Sequence, residues 1–355
     1  MACGLKICLM VFVVGNIEAL VDGAPQVPCY FIFGDSLVDS GNNNVLETVA
    51  KANNLPYGVD FPGGPTGRFC NGRNIADIIA EHLGFDSHIQ PFVIAQGQDI
   101  LNGINYGSGG SGILDETGQQ LGARISLGGQ LENHQTTISK ISTILGNNQS
   151  AIEHLNKCLY SVGMGSNDYI NNYFMPEHYN TSRQHNPNQY ASLLIQQYSL
   201  RLRALYNYGA RKVVLFALGL IGCAPYELKR NIGLPCVPHI NLAVNLFNNK
   251  LKVLVDNLNQ QLAGAKFIYV NTTGISTTMG FGFRFSNAPC CTVSTGIGEG
   301  QCLSQQDPCP NRNEYVFFDA FHPTEAANVI MGGRAYTSQN PFDTYPVDIR
   351  GLVQL

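Results

Sequence analysis

Tryptophan is absent from this chain of 355 residues, and several signatures that commonly carry chemistry are absent with it. No Cys-x-x-Cys pair occurs among the eleven cysteines, which argues against a zinc or dithiol redox site. No Gly-x-Ser-x-Gly occurs, so the nucleophile elbow of the α/β hydrolases is excluded. Charge is sparse: 13% of residues are Asp, Glu, Lys or Arg, the net charge is -4, and neither sign forms a long run. A nucleic-acid partner needs a basic footprint, and none exists. Beyond the N-terminus, no apolar stretch reaches the length of a membrane helix, so no integral membrane contact is expected.

What is present begins with a secretory pattern. Lys6 precedes a short apolar run over 7–14, and Val21 and Gly23 are small enough for cleavage after Gly23. The run is too short to span a bilayer. A signal peptide over 1–23 and one domain over 24–355 are therefore expected, with a secreted, extracellular product that could reside in a cell wall. A buried N-terminal strand is the alternative reading of the same run. Cys3 and Cys8 would leave with the signal. Nine cysteines would remain, and an odd number implies a free thiol or an intermolecular bond. Cys290, Cys291, Cys302 and Cys309 crowd a loop rich in Gly, Ser and Pro, which reads as disulfide stapling in an oxidising compartment. Cys223 and Cys236 bracket another turn-rich stretch and are a candidate pair. Three sequons, at Asn148, Asn180 and Asn271, suit a glycosylated surface.

Short apolar runs over 29–33, 103–106, 157–162, 212–218 and 266–270 read as buried strands. Helical periodicity fills the intervals over 74–83, 188–208 and 239–262. In the last, Leu242, Leu246, Leu251, Leu254 and Leu258 are expected to line the inner face. Pro323 marks a helix start after His322. Alternating strands and helices imply an α/β fold with a parallel five-stranded sheet covered on both faces. In such a sheet, ligands bind beyond the carboxyl ends of the strands. Four polar motifs converge on that edge.

The first motif is Gly34-Asp35-Ser36-Leu37, where Ser36 reads as a nucleophile in a tight turn leading towards a helix. A helix cap is the rival reading of that serine. The last is Asp319-Ala320-Phe321-His322. A serine nucleophile needs a base, and the base needs an orienting carboxylate. Of the eight histidines, only His322 has an Asp three residues before it. Gly-Asp-Ser-Leu should arise by chance in roughly one chain of this length in a hundred, and Asp-x-x-His in about every second one. Neither motif therefore suffices alone, and the pairing has to carry the reading. Gly110 offers a backbone N–H and Asn167 a side-chain amide for a developing oxyanion; an ordinary turn and an Asx-turn are their rivals. The spacing Gly107-x-Gly109-x-x-Gly112 also fits a dinucleotide fingerprint. That fingerprint requires a helix to open at once and an acidic residue closing a second strand, and the following Gly-, Gln- and Ser-rich segment supplies neither.

Residues 33–43, 103–112, 165–169 and 319–325, together with 65–69 and 209–212, resemble the ordered blocks of the plant GDSL esterase/lipase family within the SGNH hydrolase superfamily. The likeness runs over nearly all of the mature chain. It implies a three-layer α/β/α flavodoxin-like fold and hydrolysis of carboxylic esters, with no cofactor and no metal. By position, it implies a triad of Ser36, Asp319 and His322. It also implies an oxyanion hole from the Ser36 and Gly110 N–H groups and the Asn167 amide, with Gly109 as the neighbouring alternative for Gly110. Two departures stand out: Phe318 replaces the family's usual Trp, and Gly107 its common Ala. The expected substrate is a small-molecule, lipid or polysaccharide ester. Transfer to another alcohol, or a silent wall-binding role on the same fold, are the competing functions.

Overall fold

The computed structural model describes residues 23–355, so the expected signal segment, apart from Gly23, lies outside the described residues. Four parallel strands form the centre: β1 (Tyr30–Gly34), β2 (Leu159–Gly163), β3 (Lys212–Phe216) and β4 (Lys266–Val270), side by side in that order. Thr344–Tyr345 completes the five-stranded sheet as a short antiparallel edge on β4.

The expected strand over 103–106 shrinks to a bridge. Ile32 N–H donates to Ile104 O at 3.0 Å, and Tyr106 N–H donates to Ile32 O at 2.7 Å. Asn105 turns its own backbone to Gln90 and Phe92. Gly103, at φ +110°, breaks extended backbone on one side, which leaves too few residues for a ladder. This segment still lies on the outer side of β1, so the lateral order of the chain is 2-1-3-4-5, the flavodoxin-like arrangement.

Side chains alternate across a strand, and the two helix layers divide accordingly. Phe31, Phe33, Tyr160, Val162, Val213, Leu215 and Phe267 pack in one cluster with helix α2 (Leu127–Leu145), helix Pro187–Asn207 and helix Pro238–Gln261. Tyr30, Ile32, Leu159, Val214 and Ile268 pack on the other face with α1 (Ile75–Leu83), helix Glu325–Tyr336 and helix Ile349–Gln354. The three helices expected over 74–83, 188–208 and 239–262 form within a residue of those bounds. One face assignment fails: Leu242 is 64% exposed. The inner face of Pro238–Gln261 is instead Ile240, Val244, Phe247, Leu251, Val255 and Leu258. Position 242 is two residues from both 240 and 244, about 200° round the helix, so it points away. The helix after His322 starts at Glu325, capped by Thr324, and Pro323 precedes the cap.

Disulfides join Cys29 to Cys158, Cys223 to Cys236, Cys290 to Cys309 and Cys291 to Cys302. Cys70 is free and buried. The loop stapled by the last two bonds lies on a small ladder, Phe285–Pro289 with Tyr315–Phe317, that leads directly into residues 319–322.

Candidate active site

β1 ends at Gly34 and the chain turns at once. Asp35 O accepts the N–H groups of Val38 and Asp39, and Asp35 Oδ1 accepts that of Leu37 at 3.0 Å. Ser36 stands half-exposed on this turn. The expected helix behind it does not form; only the single 3-10 turn Asn42–Val45 follows. Ser36 therefore caps no helix, and its hydroxyl goes elsewhere: Oγ lies 2.7 Å from His322 Nε2.

His322 is held from both sides. Its Nδ1 lies 2.8 Å from Asp319 Oδ2 and 2.9 Å from Oδ1. The three-residue spacing also lets Asp319 Oδ1 accept the backbone N–H groups of Phe321 and His322, each at 2.8 Å. Asp319 is fully buried, and the ring of Phe69 tilts against the imidazole at 4.9 Å between centroids. The arrangement can withdraw a proton from Ser36 while a fixed carboxylate stabilises the imidazolium.

Tyr57 was not singled out in the sequence. Its buried hydroxyl donates to Asp319 Oδ2 at 2.6 Å and accepts the Cys302 N–H at 3.0 Å. Burial, with Asp319 beside it, pushes the phenol well above its usual range, so it stays a donor. Nothing local in the sequence marks a tyrosine whose partner is 262 residues away. Phe318, where the resemblance implies Trp, is fully buried and packs edge-on to the Tyr57 ring at 5.7 Å.

The neighbouring glycine loop distinguishes its two candidates. Gly109 N–H donates to Asp39 Oδ2 at 3.0 Å. Gly110, at φ +78°, and Ser36 have backbone N–H groups with no acceptor among the described residues. Asn167 uses one amide hydrogen on Ser111 O at 2.9 Å and accepts Asn171 Nδ2 at 2.7 Å, which orients the group and leaves one hydrogen unengaged. The Asn167 amide is thus tied to the residue beside Gly110. The Ser36 and Gly110 N–H groups and one Asn167 amide hydrogen are therefore unengaged among the described residues. Gly107 fits this chain's packing: a Cβ there would meet Val38 Cγ2 at 2.8 Å. No helix opens behind Gly112, and the next long one begins at Leu127, so the dinucleotide spacing has no structural counterpart.

Buried polar groups brace the loops. Asp39 accepts from Gly41, Asn42 and Gly109. Asn42 and Asn43 donate to backbone carbonyls of 105, 107 and 109. Asp168 accepts from Ile113, Leu114 and Thr117. Burial pushes Asp35 and Asp39 up to about 6 and Asp168 to about 7, with backbone donors pulling each partly back. Away from this site, Cys29, His154 and Cys158 converge as potential metal ligands. Their two sulfurs are disulfide-bonded, and His154 Nε2 lies 3.0 Å from Leu101 O, so the group fits a covalent staple better than an ion.

Two of the sequons lie on exposed asparagines, Asn148 and Asn180. Asn271 is half-buried: it caps helix Thr272–Met279, and its Nδ2 donates to Phe342 O.

The profile of GDSL-like lipases and acylhydrolases matches residues 30–334. A GDSL esterase/lipase of Arabidopsis thaliana is 51% identical over 359 residues, covering 99% of this chain and 99% of the relative. A second from the same plant is 54% identical over 336 residues, covering 93% and 92%. A third is 49% identical over 354 residues, covering 98% of each. With the sheet order and the Ser36–His322–Asp319 contacts already described, these likenesses lead to one conclusion: the chain belongs to the GDSL-like lipase/acylhydrolase family.

Proposed function

We propose that this protein is a secreted serine ester hydrolase that works through an acyl-enzyme on Ser36. The observation that carries the reading is the continuous relay Ser36 Oγ–His322 Nε2 at 2.7 Å and His322 Nδ1–Asp319 Oδ2 at 2.8 Å. His322 takes the proton as Ser36 Oγ attacks the ester carbonyl carbon. The carbonyl oxygen becomes an oxyanion beside the Ser36 and Gly110 N–H groups and the Asn167 amide. The tetrahedral centre collapses, and His322 returns the proton to the departing alkoxide, which leaves as the alcohol. Water then repeats the sequence on the acyl-enzyme and releases the acid. The substrate is a small-molecule, lipid or polysaccharide ester.

Secretion is supported by the four disulfides, which persist in oxidising compartments, and by the sequence over 1–23. Asn148 and Asn180 are exposed and could carry glycans, whereas occupancy at Asn271 requires release of its helix cap. A fluorophosphonate probe tests the mechanism. Label is expected on Ser36, absent in Ser36→Ala, with the unfolding temperature unchanged. Equal labelling of the variant would refute the assignment.

A further inference from the structure

Asn167 and Asn171 are four residues apart, a spacing that puts two side chains on one face of a helical turn. The segment starts helically at Ser166–Asp168 and then widens over Tyr169–Tyr173, where the Phe174 N–H reaches five residues back to Tyr169 O at 2.9 Å. Such wide turns gather at functional sites. Asn171 leaves helical backbone inside this one, at φ -117° and ψ 23°. Its Nδ2 donates to Asn167 Oδ1 at 2.7 Å, and its backbone O accepts the Gly118 N–H at 3.2 Å. The wide turn is thereby fastened to the segment that follows the Gly110 loop.

The contacts continue outward from Asn171. Gln120 Nε2 donates to Asn171 Oδ1 at 3.0 Å and to Met175 Sδ at 3.3 Å. The Tyr179 hydroxyl donates to Gln120 Oε1, and a longer contact of 3.3 Å joins it to Glu116 O. One carbonyl fixes the direction of the whole chain. Ser111 O can only accept, so the Asn167 amide turns its NH2 to Ser111 and its oxygen to Asn171. Asn171 then presents its NH2 to Asn167 and its oxygen to Gln120. Gln120 in turn presents its oxygen to Tyr179, whose hydroxyl has to donate. The bonds all run one way and end at the Asn167 amide hydrogen that has no partner among the described residues. Asn172, the next residue, bonds Thr117 and Thr181 instead and stays outside the chain.

We propose that Asn171, Gln120 and Tyr179 are positioning residues that lock the Asn167 amide with its free hydrogen available to the oxyanion and strengthen that donor as charge develops. The inference rests on the reading of Ser36 as nucleophile and Asn167 as oxyanion donor. An amide that donates to an oxyanion draws negative charge onto its own oxygen, and a donor already seated on that oxygen stabilises the shift. Aligned hydrogen bonds polarise one another, so Gln120 and Tyr179 reinforce Asn171. Charge on the substrate oxygen is greatest near the tetrahedral transition state. The chain therefore contributes to kcat and little to ground-state binding.

Steady-state kinetics of the full chain on p-nitrophenyl acetate test this. Asn171→Ala should lower kcat about 3- to 10-fold, the scale of a lost neutral hydrogen bond, with KM unchanged. Tyr179→Phe keeps the ring and removes only the outermost donor, so it should lower kcat about twofold. In Asn167→Ala the chain has nothing to act on, and adding Asn171→Ala should cost no further activity. A wild-type kcat in Asn171→Ala, a loss confined to KM, or an equal loss with and without Asn167 overturns the proposal. If Asn171→Ala does not fold, Tyr179→Phe with and without Asn167→Ala decides in the same way. Fluorophosphonate labelling separates the two levels of failure. A labelled wild type and an impaired Asn167→Ala, with Asn171→Ala unaffected, remove the chain alone. An unlabelled wild type, or full kcat in Asn167→Ala, removes the reading beneath it as well.

Discussion

Tyr57 Oη and Asp319 Oδ2, 2.6 Å apart, extend the relay by one residue beyond the three the motifs announce. Asp319 accepts from four donor groups, and among the described residues Tyr57 is the only side-chain donor besides His322. Removing that donor leaves Oδ2 of a buried carboxylate with the His322 imidazole as its one remaining partner among the described residues. Tyr57→Phe should lower kcat about 10- to 100-fold, the scale of a lost hydrogen bond to a charged group. Fluorophosphonate labelling should slow in parallel, and KM should hold. An unchanged kcat would make Tyr57 a packing residue only. The contact of Ser36 with His322 and of His322 with Asp319 was legible because a nucleophile, base and carboxylate compress into short motifs. Tyr57 was not, because its role exists only after residues 57 and 319 meet. The resemblance already pointed to Gly110 with Gly109 as its alternative; what the sequence did not show is that Asp39 Oδ2 takes the Gly109 N–H.

Helix α1 shows how an element serves the site from outside it. Asn74 caps it, with Asp77 completing the capping box, and Asp77 also holds Arg68 through two bonds of 2.7 Å in a pair only 5% exposed on each side. Arg68 precedes Phe69, whose ring rests on His322. Breaking one half of such a pair strands the other charge in the interior. Asp77→Leu should destabilise the fold by about 3–5 kcal/mol, and adding Arg68→Met should recover much of the loss. Chemical denaturation of the three variants checks both directions. If the double variant is no more stable than the single, the cost lies in the lost cap instead. Elements with strong periodicity were readable: the 3.6-residue pattern placed three helices, and β-branched and aromatic runs placed β1 to β4. The 103–106 segment misled because an apolar run does not reveal whether neighbours supply a ladder. Thr344–Tyr345 was missed because two residues have no pattern.

For the molecule as a whole, the covalent framework yields a direct count. Burial pushes the Cys70 thiol up to about 12, and the other eight described cysteines are paired. A secreted chain cleaved after Gly23 should show no thiol reactive to a disulfide reagent when native and one after denaturation. Peptide mapping should recover Cys290–Cys309 and Cys291–Cys302 as nested bonds. Four reactive thiols in the native state would contradict the framework. The amino-acid order alone carried the α/β class, the main helices, the pairing of the Gly-Asp-Ser-Leu and Asp-x-x-His motifs and the stapling around residue 300, because each is written in local composition and period. Folding was needed to choose among disulfide pairings, to recruit Tyr57, to leave the Gly110 N–H unengaged and to align Tyr179, Gln120 and Asn171 behind Asn167. Those features depend on which distant groups come within a few ångströms, and spacing along a chain does not encode distance across a core.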